Sequence, residues 1–342
     1  KQLRPAPAAI ADFGDTAATV ASDPVTDRLV LATISVSGFA ALLYEVAWTR
    51  ALTALISSST YAFAIMLVTF LVGIAVGSSW AARYRPSANL RMLGVFQLAI
   101  AAGGFVFLLG YLVAPAILVS LVRALYYSFP AVLTIQFLVC AALMILATFF
   151  MGATLPIGAQ LYSSRMQVLG RRIGGVYSIN TLGAIIGSLG AGFVLIPLLG
   201  TERSILIGLL FNAAIALALF VRERQRSGLL PYVAAGVLLL ALVALRGQVF
   251  WSPDVLDRGV LIYARQFEAR PNLRLEEHYH ETDVVYFREG KNATVSVRTG
   301  NNYVGLRTNG KVDASNGHDK KTQLLLAYLP GFHHPQPEDV LV

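Results

Sequence analysis

The sequence predicts a polytopic α-helical membrane bundle of about seven spans, followed by a small antiparallel β meander that leads into a truncated Rossmann-like α/β domain. The composition is the first reason. The 342-residue chain is 56% hydrophobic and 13% charged, whereas soluble domains carry roughly a quarter of charged residues. The second reason is a change of periodicity near residue 246. Apolar runs of membrane-spanning length precede that point, and short strand-like runs follow it.

These patterns divide the chain into four predicted regions. A polar N-terminal segment covers residues 1–28, and a transmembrane helical domain covers residues 29–246. A linker follows at residues 247–281, and residues 282–342 begin an aqueous domain. The single cysteine, Cys140, lies in an apolar segment, so neither a disulfide framework nor a cysteine metal site is predicted.

Seven segments approach the length of about 20 apolar residues that a helix needs to cross a bilayer. The predicted spans are Leu29–Trp48, Ser59–Ala81, Met92–Val113, Ala131–Leu155, Ile173–Leu199, Ser204–Val221 and Leu229–Leu245. The last is the shortest and contains Pro231. Residues 114–130, between the third and fourth spans, predict an interfacial helix, with Arg123, Tyr126 and Tyr127 at the level of the headgroups.

Arginine is unevenly distributed among the predicted loops. The intervening loops hold one arginine each, and three loops hold three each: Arg83, Arg85 and Arg91; Arg165, Arg171 and Arg172; Arg222, Arg224 and Arg226. Because short cytoplasmic loops accumulate arginine and lysine, the three rich loops are expected in the cytoplasm. If all seven segments cross, the domain after Arg246 lies outside the cytoplasm; if the seventh does not, that domain is cytoplasmic. The net charge of +8 follows from this topology, so no nucleic-acid partner is predicted.

Small residues recur at helical spacing within the predicted spans. They are Gly73 and Gly77 in the second span, and Gly183, Gly187, Gly190 and Gly192 in the fifth. Glycines on one face let two backbones approach closely. The pattern is expected in static packing and also in a moving transporter helix, and static packing is the interpretation we favour.

Glu45 is a carboxylate near the end of the first span, and Arg50 lies just beyond it. Charged groups within a bilayer are costly and usually functional. Two interpretations follow: Glu45 belongs to an ion pathway, or it pairs with Arg50 at the membrane interface.

The aqueous region begins with three extended runs rich in Val, Tyr, Phe and Thr: Asp283–Arg288, Ala293–Arg298 and Asn302–Thr308. Asn309-Gly310, which follows them, is a strong hairpin signal, so a small antiparallel meander is predicted. A helix is expected over Asp319–Leu329, and residues 340–342 are expected to form a buried strand.

Several stretches of this region resemble the start of the spermidine synthase domain. They are residues 287–297 (FREGKNATVSV), 308–315 (TNGKVDAS), 322–325 (TQLL), 329–330 and 334–342. The membrane half is similar to the bacterial membrane-fused branch of that family in residues 37–50 (SGFAALLYEVAWTR), 170–174, 177 and 180–183. The resemblance covers most of the chain after about residue 31.

The resemblance implies transfer of an aminopropyl group from decarboxylated S-adenosylmethionine to a small amine such as putrescine. It also implies that residue 342 precedes the glycine loop that binds the nucleoside. No cofactor is therefore expected within this chain, decarboxylated S-adenosylmethionine is the expected co-substrate of the complete protein, and the catalytic residues are not predicted among those present.

The resemblance assigns substrate contacts to four residues. Asn309 forms the turn that holds Asp313 over the pocket mouth, Gln323 faces the ligand, and Asp319 holds a cation or simply begins the helix. Soluble relatives carry Tyr-His-Glu where this chain has Thr322, Gln323 and Leu324, so the tyrosine and histidine of the family's diamine pocket are replaced in this chain.

Two function classes remain open at this stage. The first is a membrane-anchored transferase of the spermidine synthase type. The second is a non-catalytic, transporter-like or accessory subunit of a larger membrane complex. Both imply a multi-pass protein of the bacterial inner membrane, with the bilayer and other membrane subunits as partners. His278 and His280, with their acidic neighbours, are of the residue types that bind metals. Because histidines are common in polar loops, we predict that no metal is bound there.

Overall fold

The computed structural model describes residues 23–84, 86–125, 128–163, 169–223, 227–247, 250–263, 282–317, 319–334 and 338. The chain is a multi-pass membrane protein by helix length and hydropathy, because six of its described helical segments are long and apolar enough to cross a bilayer. The helices are α1 Pro24–Ile56, α2 Thr60–Tyr84, α3 Leu90–Ala124, α4 Phe129–Ser163, α5 Leu169–Leu189, α6 Ile196–Leu199, α7 Thr201–Arg222 and α8 Leu230–Leu245. A π-helical stretch, Gly190–Leu195, joins α5 to α6, so the two form one continuous crossing.

The seventh predicted span, α8, has only 16 residues and is about 24 Å long at 1.5 Å per residue. It packs along α7 in the antiparallel direction. Ala234, near its start, shares a buried cluster with Phe220 at the end of α7, and Ala241 shares one with Leu209 in the first half of α7. The short helix therefore runs from one end of the bundle to the other.

The predicted interfacial helix at residues 114–130 is wrong. Helix α3 continues through Pro115 to Ala124 without a break. Ala114, Pro115, Leu118 and Val122 are buried on one face of this extension, and that burial offsets the backbone hydrogen bond that a proline removes. Tyr126 and Tyr127 lie outside the described residues.

The glycine pairs predicted from sequence lie where helices touch. A Cβ atom at Gly183 would overlap the carbonyl oxygen of Ser35 in α1, and one at Gly187 would overlap that of Phe39. Gly73 and Gly77 of α2 face Thr148 and the Phe149 carbonyl of α4 in the same way. Gly190 and Gly192 differ, because nothing lies within 4 Å of a Cβ atom there. Close packing is therefore confirmed for four of the six glycines.

Two of the three loops predicted to be rich in arginine, those of Arg91 and Arg222, meet at one end of the bundle. Arg222 forms an ion pair with Asp23, and the backbone N–H of Arg91 donates to the carboxylate of Glu223 at 3.1 Å. The meander occupies the opposite end, beside the C-terminus of α1 and the N-terminus of α7. The arginine-rich loops and the meander are thus separated by the length of the bundle.

The meander is a four-stranded antiparallel sheet in the order β1-β2-β3-β4. Its strands are β1 Asp283–Glu289, β2 Thr294–Gly300, β3 Tyr303–Thr308 and β4 Lys311–Ser315. Asn309 and Gly310 have φ values of 51° and 79°, as the predicted tight hairpin turn requires. Strand β4 was not among the three predicted runs. Helix α10, Asp319–His333, follows the sheet and is close to the predicted helix.

Residues 250–263 lie within the region predicted as a linker, and they fill the space between bundle and meander. They include a short helix, α9 Pro253–Leu256. Trp251 is buried in the core of the bundle, and its indole N–H donates to the carbonyl of Leu108 at 3.1 Å. The backbone of Gly259 packs directly on that of Gly310 in the β3–β4 turn. No Rossmann-like domain occurs among the described residues, and the strand predicted at residues 340–342 lies outside them.

Candidate functional site

Glu289, at the end of β1, joins the meander to the start of α7. Its carboxylate accepts hydrogen bonds from the backbone N–H of Thr201, at 3.0 Å, and from the Thr201 hydroxyl. The first N–H groups of a helix have no partner within the helix, so this carboxylate caps α7 from a distant part of the chain. Burial raises the pKa of Glu289, whereas the Thr201 hydrogen bonds and the charge of Arg50 oppose that rise.

Glu202, the next residue of α7, holds the incoming segment 250–263 in the same manner. Its two carboxylate oxygens accept from the backbone N–H groups of Phe250, at 3.2 Å, and Trp251, at 3.0 Å. The ring of Trp251 lies 4.5 Å from that of Tyr111. Two adjacent positions at the N-terminus of α7 therefore orient both the meander and the segment that precedes it.

A buried ionic cluster lies under the sheet. Asp257 accepts a hydrogen bond from Ser296, and its Oδ2 lies 3.5 Å from Arg298 Nε and 3.7 Å from Arg307 Nη1. Arg298 is 0% exposed and also pairs with Asp254. Burial raises the pKa of Asp257, and Ser296 and both arginines oppose that rise.

Sequence reasoning missed this cluster. Ser296 and Arg298 lie on the same face of β2, because side chains two residues apart in a strand point in the same direction. In the sequence, however, a charged residue in a short strand next to a turn suggests a solvated face. Only the docking of residues 250–263 reveals that this face is buried.

A first groove, which we call the junctional groove, opens between α1, α2 and the loops of the meander. It has a volume of about 310 Å³ and is lined by Glu45, Val46, Thr49, Arg50, Thr53, Phe63, Asn292 and Asn309. The predicted pair of Glu45 with Arg50 is wrong, because no ion pair within 4 Å joins these two described residues. Arg50 instead donates to the backbone carbonyl of Lys291.

A second groove, the outer groove, lies between β3, β4 and α10. It has a volume of about 470 Å³. Its lining residues are Val304, Leu306, Ala314, Ser315, Asn316, Lys320, Gln323 and Leu324. Gln323 is thus the one predicted site residue that lines it.

The other three predicted site residues lie apart from one another. Asp319 accepts a hydrogen bond from Ser315 at 3.0 Å and occupies the first turn of α10. Asp313 pairs with Lys311 at 2.8 Å on the surface, and this contact lowers the pKa of Asp313. Asn309 lines the junctional groove, and its Oδ1 accepts from the backbone N–H of Thr294 at 2.9 Å.

Helix α10 presents large apolar side chains to solvent, and none of its residues is buried. Those exposed are Leu324, Leu325, Leu326, Tyr328, Leu329 and Phe332. Val304 and Leu306 on the neighbouring strand are exposed as well. The side of the meander away from the bundle is therefore an extended apolar surface.

No group of three potential metal ligands occurs among the residues that the structure describes. His278 and His280 lie outside those residues. Comparisons with protein-family models, curated proteins and solved structures found no match to this chain.

Proposed function

We propose that this chain is the membrane-anchored part of a spermidine synthase-like protein, in which the outer groove forms one wall of a ligand pocket. The observation that supports the proposal most directly is the position of Gln323. Its amide, which can donate and accept hydrogen bonds, lines the groove together with the amine of Lys320 and the amide of Asn316. Val304, Leu306 and Leu324 add apolar surface, so the groove combines the two features common to small-molecule sites.

The activity that we propose is aminopropyl transfer with decarboxylated S-adenosylmethionine as co-substrate. The nitrogen of a small amine forms a bond to the carbon beside the sulfonium, the carbon–sulfur bond breaks, and a neutral thioether leaves with the electron pair. The amine then loses a proton to a base. The contribution proposed for the described residues is to bind and cover the ligands.

The apolar surface of α10 also supports the proposal. Exposed apolar patches of this kind mark surfaces that another layer or partner covers. The apolar face of a helix must pack against another layer of secondary structure. A sheet followed by a helix with an uncovered apolar face is therefore expected where a larger α/β domain begins. The expected Rossmann-like domain would cover this face.

Ligand binding by the full-length protein in detergent tests the proposal. We expect Gln323→Ala to weaken binding of decarboxylated S-adenosylmethionine or its thioether product by about tenfold, the effect of one hydrogen bond to a charged ligand. Thermal stability should not change, because Gln323 is exposed. Lys321→Ala is the matched control, since Lys321 lies on the same helix and does not line the groove. If the decarboxylated and ordinary forms and their thioethers all fail to bind at millimolar concentration, the transferase proposal fails.

The transferase activity requires the meander on the cytoplasmic side of the membrane, whereas the charge of the short loops predicts that the arginine-rich end faces the cytoplasm and that the meander lies outside it. Single-cysteine labelling in intact cells tests this topology. A membrane-impermeant maleimide should label Asn301→Cys in the β2–β3 turn and should not label Arg83→Cys. The native Cys140 is buried, so its background labelling should be low. The reverse labelling pattern would invert the proposed topology.

A non-catalytic accessory or transporter-like subunit is the second candidate function. The observation that favours it is the separation of the meander from the arginine-rich loops by the length of the bundle. Adenosylmethionine derivatives are cytoplasmic compounds, so a meander outside the cytoplasm would not meet them. Outside labelling of Asn301→Cys together with absent ligand binding would favour this function over the transferase.

A further inference from the structure

Glu45 is the feature that the proposed function leaves unused. It lies in the membrane-spanning helix α1, and the chain position places it about 16 Å from the helix end at Ile56. Its side chain is only half-buried. Among the described residues, none donates a hydrogen bond to it or forms an ion pair with it. A carboxylate at such a depth is costly without a partner.

The junctional groove gives Glu45 access to molecules at the perimeter of the bundle. Helix α1 packs mainly on α5 and α7, whereas α2 packs mainly on α4. The groove therefore forms between α1 and α2. Asn292 and Asn309 line the groove from the meander, and Phe63, which is 52% exposed, lines it from α2.

The other polar groups of the groove do not neutralise Glu45. The guanidinium of Arg50 is engaged by the Lys291 carbonyl and by the charge of Glu289. Asn309 is held by Thr294 and Ser58. The side-chain amide of Asn292 has no hydrogen bond within the described part of the chain, so it is available to a ligand.

We propose that the junctional groove binds a primary ammonium group, with the Glu45 carboxylate as its counter-ion. An ammonium offers three N–H donors, which a carboxylate and an amide oxygen can accept. Val46 and Phe63 provide apolar contacts for the carbon chain that carries the ammonium. The ammonium comes either from the headgroup of an aminophospholipid or from a free alkylamine, because the groove borders both the lipid and the meander.

The site is distinct from the outer groove. Glu45 and Gln323 belong to different grooves and share no lining residue. Binding at Glu45 therefore does not depend on the transferase proposal, and Gln323→Ala should leave it unchanged.

The test uses the full-length protein in lipid nanodiscs, with modification of Glu45 by dicyclohexylcarbodiimide as the readout. This apolar reagent reacts with carboxyl groups in membranes, and mass spectrometry of the Glu45 peptide measures the rate. Because only unoccupied sites react, we expect the ammonium to slow the modification by about tenfold when its concentration is about ten times its dissociation constant. Discs of phosphatidylglycerol alone are compared with discs that also contain phosphatidylethanolamine. Phosphatidylglycerol discs are then titrated with ethanolamine.

The arms distinguish the two sources of the ammonium. Protection by phosphatidylethanolamine alone identifies a lipid headgroup, and protection by ethanolamine in phosphatidylglycerol discs identifies a free amine. An unchanged rate in both arms overturns the proposal and leaves Glu45 as a carboxylate without a ligand.

Two variants make the result specific. Val46→Trp, which fills the groove and keeps the carboxylate, should abolish protection. Glu45→Gln should lower the amount of phosphatidylethanolamine that copurifies with the protein by about tenfold if the lipid is the ligand, and ethanolamine binding by the same factor if the amine is. Glu223→Gln is the matched control, because Glu223 lies at the arginine-rich end. Equal effects of Glu45→Gln and Glu223→Gln would overturn the proposal.

Discussion

The contacts inside the bundle and the contact between bundle and meander are built on opposite principles. Helices α1 and α5 meet where side chains are missing, so that Gly183 and Gly187 rest on carbonyl groups of the partner helix. The meander meets the bundle through buried charge, with Glu289 on the N-terminus of α7 and Asp257 among arginines. In lipid, burying apolar side chains between helices brings little gain over contact with lipid tails, so close van der Waals contact stabilises the bundle. At the junction, each buried charge needs its own partner.

The largest effect is expected at the ionic cluster under the sheet. Asp257→Ala removes the carboxylate that Arg298 and Arg307 share, inside a site where Arg298 is 0% exposed. Breaking a buried ion pair in this way costs about 3–5 kcal/mol. We expect the meander to unfold or detach at a lower denaturant concentration, measured by limited proteolysis.

Asp313→Ala is the matched control, because its pair with Lys311 lies on the surface. Exposed pairs contribute about 0–1 kcal/mol. If the two alanine variants lose similar stability, buried charge does not hold the junction.

The glycine contact in the bundle should give the next largest effect. Gly187→Leu would force a side chain into the backbone of α1 at Phe39, and overpacking of this kind costs about 1–3 kcal/mol. Gly192→Leu is the control, since open space surrounds Gly192 in the same membrane crossing. Thermal unfolding in detergent measures both. A destabilisation by Gly192→Leu as large as that by Gly187→Leu would mean that close packing is not the cause.

The difference between the two regions also explains what the sequence could predict. Length and hydropathy located the crossings, and the spacing of Gly183 and Gly187 indicated a helix contact because that spacing is local. Asn309-Gly310 predicted its turn for the same reason. The interfacial helix was misassigned because burial of the α3 extension depends on neighbouring helices.

The junction could not be predicted, because its partners are distant in the chain. Glu289 and Thr201 are 88 residues apart, and nothing around either residue indicates the other. The resemblance assigned a substrate-binding role to each of the four residues separately. The local sequence does not reveal that Asn309 and Gln323 line different grooves. The buried pairs of Asp257 with Arg298 and Arg307 likewise join residues that are distant in the chain.

The smallest effect expected is a pH dependence at the junction, which separates the charge of Glu289 from its role as a cap. Burial raises its pKa above the ordinary value of 4.5, so the folded protein holds the proton more tightly than the unfolded chain does. The stability contributed by this protonation is fully present below pH 4.5 and is lost as the pH rises through the folded pKa.

Glu289→Gln keeps an oxygen that can accept from Thr201 and removes the titration. We therefore expect the free energy of unfolding of the native protein, minus that of Glu289→Gln, to increase on acidification towards pH 4.5, by at most about 1.4 kcal/mol per pH unit. Taking the difference removes the effects of groups such as Asp313, whose lowered pKa makes stability fall with acid. A difference that is constant with pH would show that Glu289 does not change its protonation on docking, and a decrease on acidification would show that its partners stabilise the charged form more than burial disfavours it.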